Sequence, residues 1–104
     1  MSYVVRWTPQ AEEDLERLFD FLMARALELE GDIDEPAAVI QTVRSHTQVL
    51  ERFPFTCRKA SDSPFLRELV IRYGHTGYVA LFDIRSGDQV IILAIRHQRE
   101  DDYH

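Results

Sequence analysis

The densest chemistry in this chain lies in its last eleven residues, AIRHQREDDYH, where an apolar run gives way to Arg96, His97, Arg99, three acids, Tyr103 and His104. Histidine exchanges a proton near neutral pH, arginine grips anions with a planar fork, and tyrosine joins an apolar ring to a hydroxyl. Together they could form an acid-base centre at a phosphate, or a patch of the side chains that dominate protein-protein contacts. Arg72, near the end of a second apolar run, LRELVIRY, is the remaining candidate, with Tyr73 beside it. Each also has an ordinary alternative: Arg96 and Arg99 pairing in solvent with Glu100, Asp101 and Asp102, and His97 as a satisfied strand-end histidine. No metal site is expected. A helical tail would bring His97 near Asp101 and Glu100 near His104, two separate two-ligand fragments. No cofactor is expected either, because glycine-rich phosphate loops, zinc patterns and nucleophile motifs are missing.

The elements that must carry these residues follow from periodicity. YVVRW, residues 3–7, is a short β-branched and aromatic strand, and Thr8-Pro9 supplies a helix cap and a first-turn proline. From Pro9 to about Glu30, apolar residues fall at Ala11, Leu15, Leu18, Leu22, Ala26 and Leu29, a helical stripe ended by Gly31. GDIDEP turns the chain, with Asp34 or Glu35 as cap and Pro36 in the first turn of a second helix whose apolar face is Val39, Val43 and Leu50. His46 is expected at a core edge or in solvent, and Trp7 in the core. Residues 55–64, FTCRKASDSP, read as a loop; strands over 66–73, 78–84 and 89–95 then follow through tight turns.

These elements predict an α+β fold in the order β-α-α-β-β-β, an antiparallel sheet with a helical hairpin packed on one face, forming a single domain over residues 1–104. The other face is then the working surface. On the last strand the bulkier set, Ile91, Leu93 and Ile95, is expected toward the helices, and Val90, Ile92, Ala94 and Arg96 toward the uncovered side, with His97 pointing back. Val70 and Arg72 share one face of their strand, so Arg72 and Arg96 are expected to meet.

Composition narrows the function. The 104 residues are 45% hydrophobic and 29% charged, typical of a globular protein, and no apolar run approaches the ~20 residues of a membrane span. The start of the chain shows no secretion signal and there is one cysteine, Cys57, so a cytoplasmic protein is expected. Net charge is -6, unevenly distributed: residues 1–35 hold ten Asp/Glu and three Arg, residues 36–99 nine Arg/Lys and five Asp/Glu. An acidic helix face and a basic sheet face are both compatible with that split.

The order of elements resembles the RelE/ParE superfamily of toxin-antitoxin toxins. The opening strand runs into Thr8, Pro9, Ala11, Asp14 and Leu15, similar to the family's T-P-x-A-x-x-D-L, and the last strand runs into a basic and aromatic end, ILAIRHQREDDYH. The resemblance covers essentially the whole chain. It implies a small growth-arresting toxin of a type II system, serving plasmid stabilisation, held in a hetero-oligomer by an antitoxin whose flexible segment masks the active face.

Two mechanisms compete within the resemblance. RelE-like members enter the ribosome and cleave messenger RNA, which needs an acid, a base and fixed positive charge. Here Arg72 matches an arginine at a strand end, Tyr103 matches a tail tyrosine, and His97 falls where well-known members have arginine. Yet the single lysine, Lys59, is in a loop, Val79 stands where an arginine is frequent, and the net charge is poor for gripping RNA. ParE-like members inhibit DNA gyrase and need only a binding patch, which Arg72, Arg96, His97, Arg99 and Tyr103 could supply against gyrase or the antitoxin, with Tyr73 adjoining. The ParE-like branch is favoured, a RelE-like nuclease is the alternative, and a non-toxic protein-interaction module is the third reading.

Overall fold

The computed structural model describes residues 2–99. In chain order the elements are β1 (Val4–Trp7), α1 (Pro9–Glu28), α2 (Glu35–Thr47), β2 (Arg58–Lys59), β3 (Leu66–Tyr73), β4 (Thr76–Arg85) and β5 (Gln89–His97). Thr8 starts α1 from an extended conformation: its Oγ1 accepts the Ala11 N–H at 3.1 Å and donates to the Leu93 carbonyl at 3.3 Å, so one hydroxyl caps the helix and ties it to β5. Ala11, Asp14 and Leu15 are buried, whereas Leu29, expected on the apolar stripe, is exposed. The helix outruns the sheet beneath it. At its end the Gly31 N–H donates to Ala26 O at 2.8 Å and the Glu30 N–H to Leu27 O at 3.4 Å, a Schellman closure in which Glu30 (φ 53°), not Gly31, takes the left-handed position.

Helix α2 buries Pro36, Val39, Val43 and Thr47, and a 3₁₀ turn at Gln48–Glu51 buries Leu50. These side chains and Leu15 meet Ile71, Tyr78, Phe82, Val90 and Ile92 of the sheet in one core. Each large apolar residue so covered contributes about 1.5–3 kcal/mol. Arg44 links the helices, donating to both oxygens of Glu12 while its guanidinium lies 5.1 Å from the Trp7 ring centroid. Trp7 is accordingly half-buried against the core, and His46 is exposed.

The sheet has five strands in the order β1-β5-β4-β3-β2, and it is mixed rather than wholly antiparallel. β1 runs parallel to β5, with Val4 opposite Gln89 and Trp7 opposite Ile92. Strands joined by hairpins must alternate in direction; β1 reaches β5 through no hairpin and is free of that constraint. The predicted loop contributes the fifth strand, Arg58 and Lys59 pairing with Glu68 and Arg67.

The faces of β5 differ from expectation in an instructive way. Val90 and Ile92, expected on the uncovered side, are fully buried under the helices, and Ile91 is on the other face. Between the pairs Leu81–Ala94 and Phe82–Ile92 the register shifts, leaving Leu93 as an extra residue. This bulge inverts the alternation. Beyond it Ile95 and His97 point toward the helices and Ala94 and Arg96 away, as expected for those four. Among the described residues no helix covers the second face, although Val79 and Ala94 at its centre are buried.

Candidate functional site

Arg72 is exposed on the bare face of β3, in line with Val70 and Glu68, and makes no hydrogen bond or ion pair among the described residues. Its opposite on β4 is Gly77. Arg96 shares that face but sits opposite Val79, which is opposite Val70, so Arg72 and Arg96 lie two strands apart and displaced along them, about 12 Å between backbones. The expected meeting of the two arginines is not what the face displays. Arg96 turns instead to Glu68, Nη2 to Oε2 at 3.6 Å, and Glu68 Oε1 accepts from Arg58 at 3.0 Å. With 12% of its side chain exposed, Arg96 is mostly covered.

His97 points back toward the helical side, its ring edge-on to Tyr78 with centroids 5.4 Å apart. Nδ1 accepts the Arg99 N–H at 3.1 Å, and Nε2 meets Thr76 Oγ1. A nitrogen that accepts carries no proton, so in the neutral ring the proton is on Nε2, donated to Thr76. Burial, reinforced by Tyr73 and Glu35, raises the Tyr78 hydroxyl above the usual tyrosine range. Tyr73 is itself half-buried against the core, on the face away from Arg72. Arg99 is exposed, and Tyr103 lies outside the described residues, as do the acids expected to pair with the tail arginines.

The residues of this region missed in the sequence are Glu68, Thr76, Gly77 and Gln98, which contact the end of β5. Glu68 carried a usable signal. Alternation in LRELVIRY places it on the face of Val70 and Arg72, where a half-buried acid needs a cation. Gly77 gave less, since GHTG reads as a turn.

Charge separates across the molecule. The exposed acids Glu13, Glu16 and Asp20 belong to α1, whereas Arg6, Arg58 and Arg72 stand on strands with their side chains on the bare face. A hydrogen bond from Arg44 holds Glu12 below the usual carboxylate range despite its partial burial. Burial raises the Cys57 thiol, against the opposing pull of Arg67 and Thr56. Two hollows lie elsewhere: one of about 440 Å³ beside Phe55 and Phe65, one of about 330 Å³ between α1 and α2. Of the predicted residues, Arg72 and Arg99 are exposed and line neither hollow. Among the described residues no group of three His, Cys, Asp or Glu could hold a metal ion, and no helix is long and apolar enough to cross a membrane.

The family model described as the ParE toxin of the type II toxin-antitoxin system parDE matches residues 5–102. The chain belongs to the ParE toxin family. It is a type II toxin-antitoxin toxin of the ParE/RelE superfamily. The fold is shared with a solved chromosomal ParDE toxin-antitoxin system from P. aeruginosa, at a TM-score of 0.70 and 21% identity over 92% of this chain and 96% of that one. It is shared more distantly with the RelBE2 toxin-antitoxin complex from Mycobacterium tuberculosis, at a TM-score of 0.53 and 20% identity over 96% and 95% of the two chains. No curated protein matches. In this ParE-family toxin the family-like residues at the start of α1 have a structural role. Thr8 and Asp14 both bond to the backbone of β5 around its bulge, Thr8 to Leu93 O and Asp14 to Ile95 N.

Proposed function

We propose that this ParE-family toxin arrests growth by binding DNA gyrase through its bare sheet face and tail, and that an antitoxin encoded with it neutralises it by covering the same surface. The observation that carries this reading is the placement of His97. The histidine that the sequence marks for acid-base work has both ring nitrogens engaged within the fold and faces the helices, away from Arg72. What the bare face offers is a binding kit: Arg72, Val70 and Arg6, with Arg99 at the strand exit. Arginines beside apolar surface are what a protein contact uses. An acidic chain also tolerates a protein target better than an array of phosphates.

In this reading the toxin and antitoxin form a hetero-oligomer in the cytoplasm, where the target resides, and the pair stabilises the plasmid or locus that encodes it. The test is expression of the toxin without antitoxin, together with purified protein added to a gyrase supercoiling reaction. Filamentous cells with damaged DNA and inhibited supercoiling are expected. Intact supercoiling with cut messenger RNA would replace the gyrase reading with ribosome-dependent cleavage, and normal growth would replace both with a non-toxic interaction module.

A further inference from the structure

Chains usually loosen where a last strand ends. Here the exit from β5 is held at several points. The Gln98 N–H donates to Gly77 O at 3.0 Å, and the Arg99 N–H to His97 Nδ1 at 3.1 Å. The Arg96 guanidinium reaches over its own strand end, donating through Nη1 to the carbonyls of His97 at 3.2 Å and Gln98 at 3.3 Å, while Nη2 faces Glu68. The Gln98 side chain lies directly on Gly77. A Cβ at that glycine would stand 2.9 Å from the Ile71 carbonyl, which the backbone fixes, and 2.7 Å from Gln98 Oε1, so a side chain there would push against the strand and displace Gln98.

The geometry points to Glu68 and Gly77 as positioning residues: they form a latch that, through Arg96 and Gln98, sets the direction of the strand exit and so presents Arg99 to the toxin's target. The inference rests on the tail contact proposed above and adds residues that act through others, since Gly77 is buried and Glu68 is largely covered. Arginine is required at position 96 because a planar fork can serve a carboxylate and two backbone carbonyls together, which a lysine ammonium cannot do in the same geometry. A strand exit already ordered loses less freedom on binding.

Hydrogen exchange on the full chain reads the latch directly. The Gln98 and Arg99 amides are expected to be protected, and Glu68→Gln, which keeps the side-chain shape, to speed their exchange about tenfold while the amides of β4 keep theirs. Unprotected amides in the unaltered chain would overturn the latch. Growth arrest reads its consequence. Glu68→Gln and Arg96→Lys are each expected to weaken arrest about tenfold, and neither to add to the loss caused by Arg99→Ala with Tyr103→Ala, because they act through the same segment. An undiminished Glu68→Gln effect in that background overturns the inference. So does the absence of any Glu68→Gln effect when the tail pair relieves arrest. Arrest through cut messages would remove only the gyrase reading; a tail pair without effect on arrest would remove the tail contact and this inference with it.

Discussion

Asp14 Oδ2 accepts the backbone N–H of Ile95 at 2.9 Å inside the protein. β1 ends at Trp7, opposite Ile92, so beyond that point this edge of β5 has no neighbouring strand among the described residues, and a carboxylate from α1 takes a strand's place. Gln10 and Arg17 hold the other oxygen, at 3.1 and 2.5 Å. Asp14→Ala strands a buried N–H and is expected to cost about 3 kcal/mol, a fall of roughly 15 °C in Tm for a domain of this size. Asp14→Asn keeps an acceptor for Ile95 and is expected to cost about 1 kcal/mol. Thermal unfolding followed by circular dichroism compares the two.

The end of α1 predicts a gain. Glu30 holds a left-handed conformation with a side chain that disfavours it, so Glu30→Gly is expected to stabilise by about 0.5–1 kcal/mol. Gly31 needs no such freedom, and a Cβ there would meet nothing closer than Ala26 O at 3.8 Å. Gly31→Ala is therefore expected to be tolerated. Urea midpoints at constant slope measure both.

Stability is expected to fall at both extremes of pH. Arg44 lowers the Glu12 pKa, so the unfolded chain binds the proton more readily; the contribution is present above the ordinary carboxylate range and lost as pH falls through the folded value. For this partly exposed pair the effect is below about 1 kcal/mol, and Glu12→Gln should remove it. Burial raises the Tyr78 pKa, so its contribution is full below the ordinary tyrosine pKa near 10.0 and lost as pH rises through the higher folded value. Tyr78→Phe should flatten that alkaline limb in denaturation titrations.

Arg72 separates binding from folding. It is exposed and makes no hydrogen bond or ion pair among the described residues, so Arg72→Glu is expected to change stability by less than about 0.5 kcal/mol. If the bare face is the target surface, the same change relieves growth arrest by tenfold or more through charge reversal at a contact. Asp20→Ala, on the helical side, should leave arrest unaltered. Equal arrest from the Arg72→Glu toxin and the native one would exclude this part of the face.

Periodic elements were legible in the sequence: β3 falls on the residues its alternation marked, and Thr8-Pro9 starts α1. The phase of β5 was not. QVIILAI is apolar throughout, so no polar residue marks either face, and the bulge at Leu93 depends on pairing with β4. Arg96 reaches the expected face only because the bulge reverses the alternation, with Val90 and Ile92 on the helical side before it. β2 is two residues long, too short for any period. Of the site, the exposed Arg72 was legible from alternation, whereas the inward His97 owes its face to the same bulge and the partnership of Arg96 with Glu68 depends on register between distant strands.

The parallel pairing of β1 with β5 joins residue 4 to residue 89, among the longest separations in the chain. A ribosome releases β1 long before the strand it pairs with, so during synthesis Val5 and Trp7 wait without the partner that completes their side of the sheet. That edge of the sheet therefore closes only once β5 has emerged. A truncation that removes β5 would thus also leave the first strand unzipped, although the two are more than eighty residues apart along the chain.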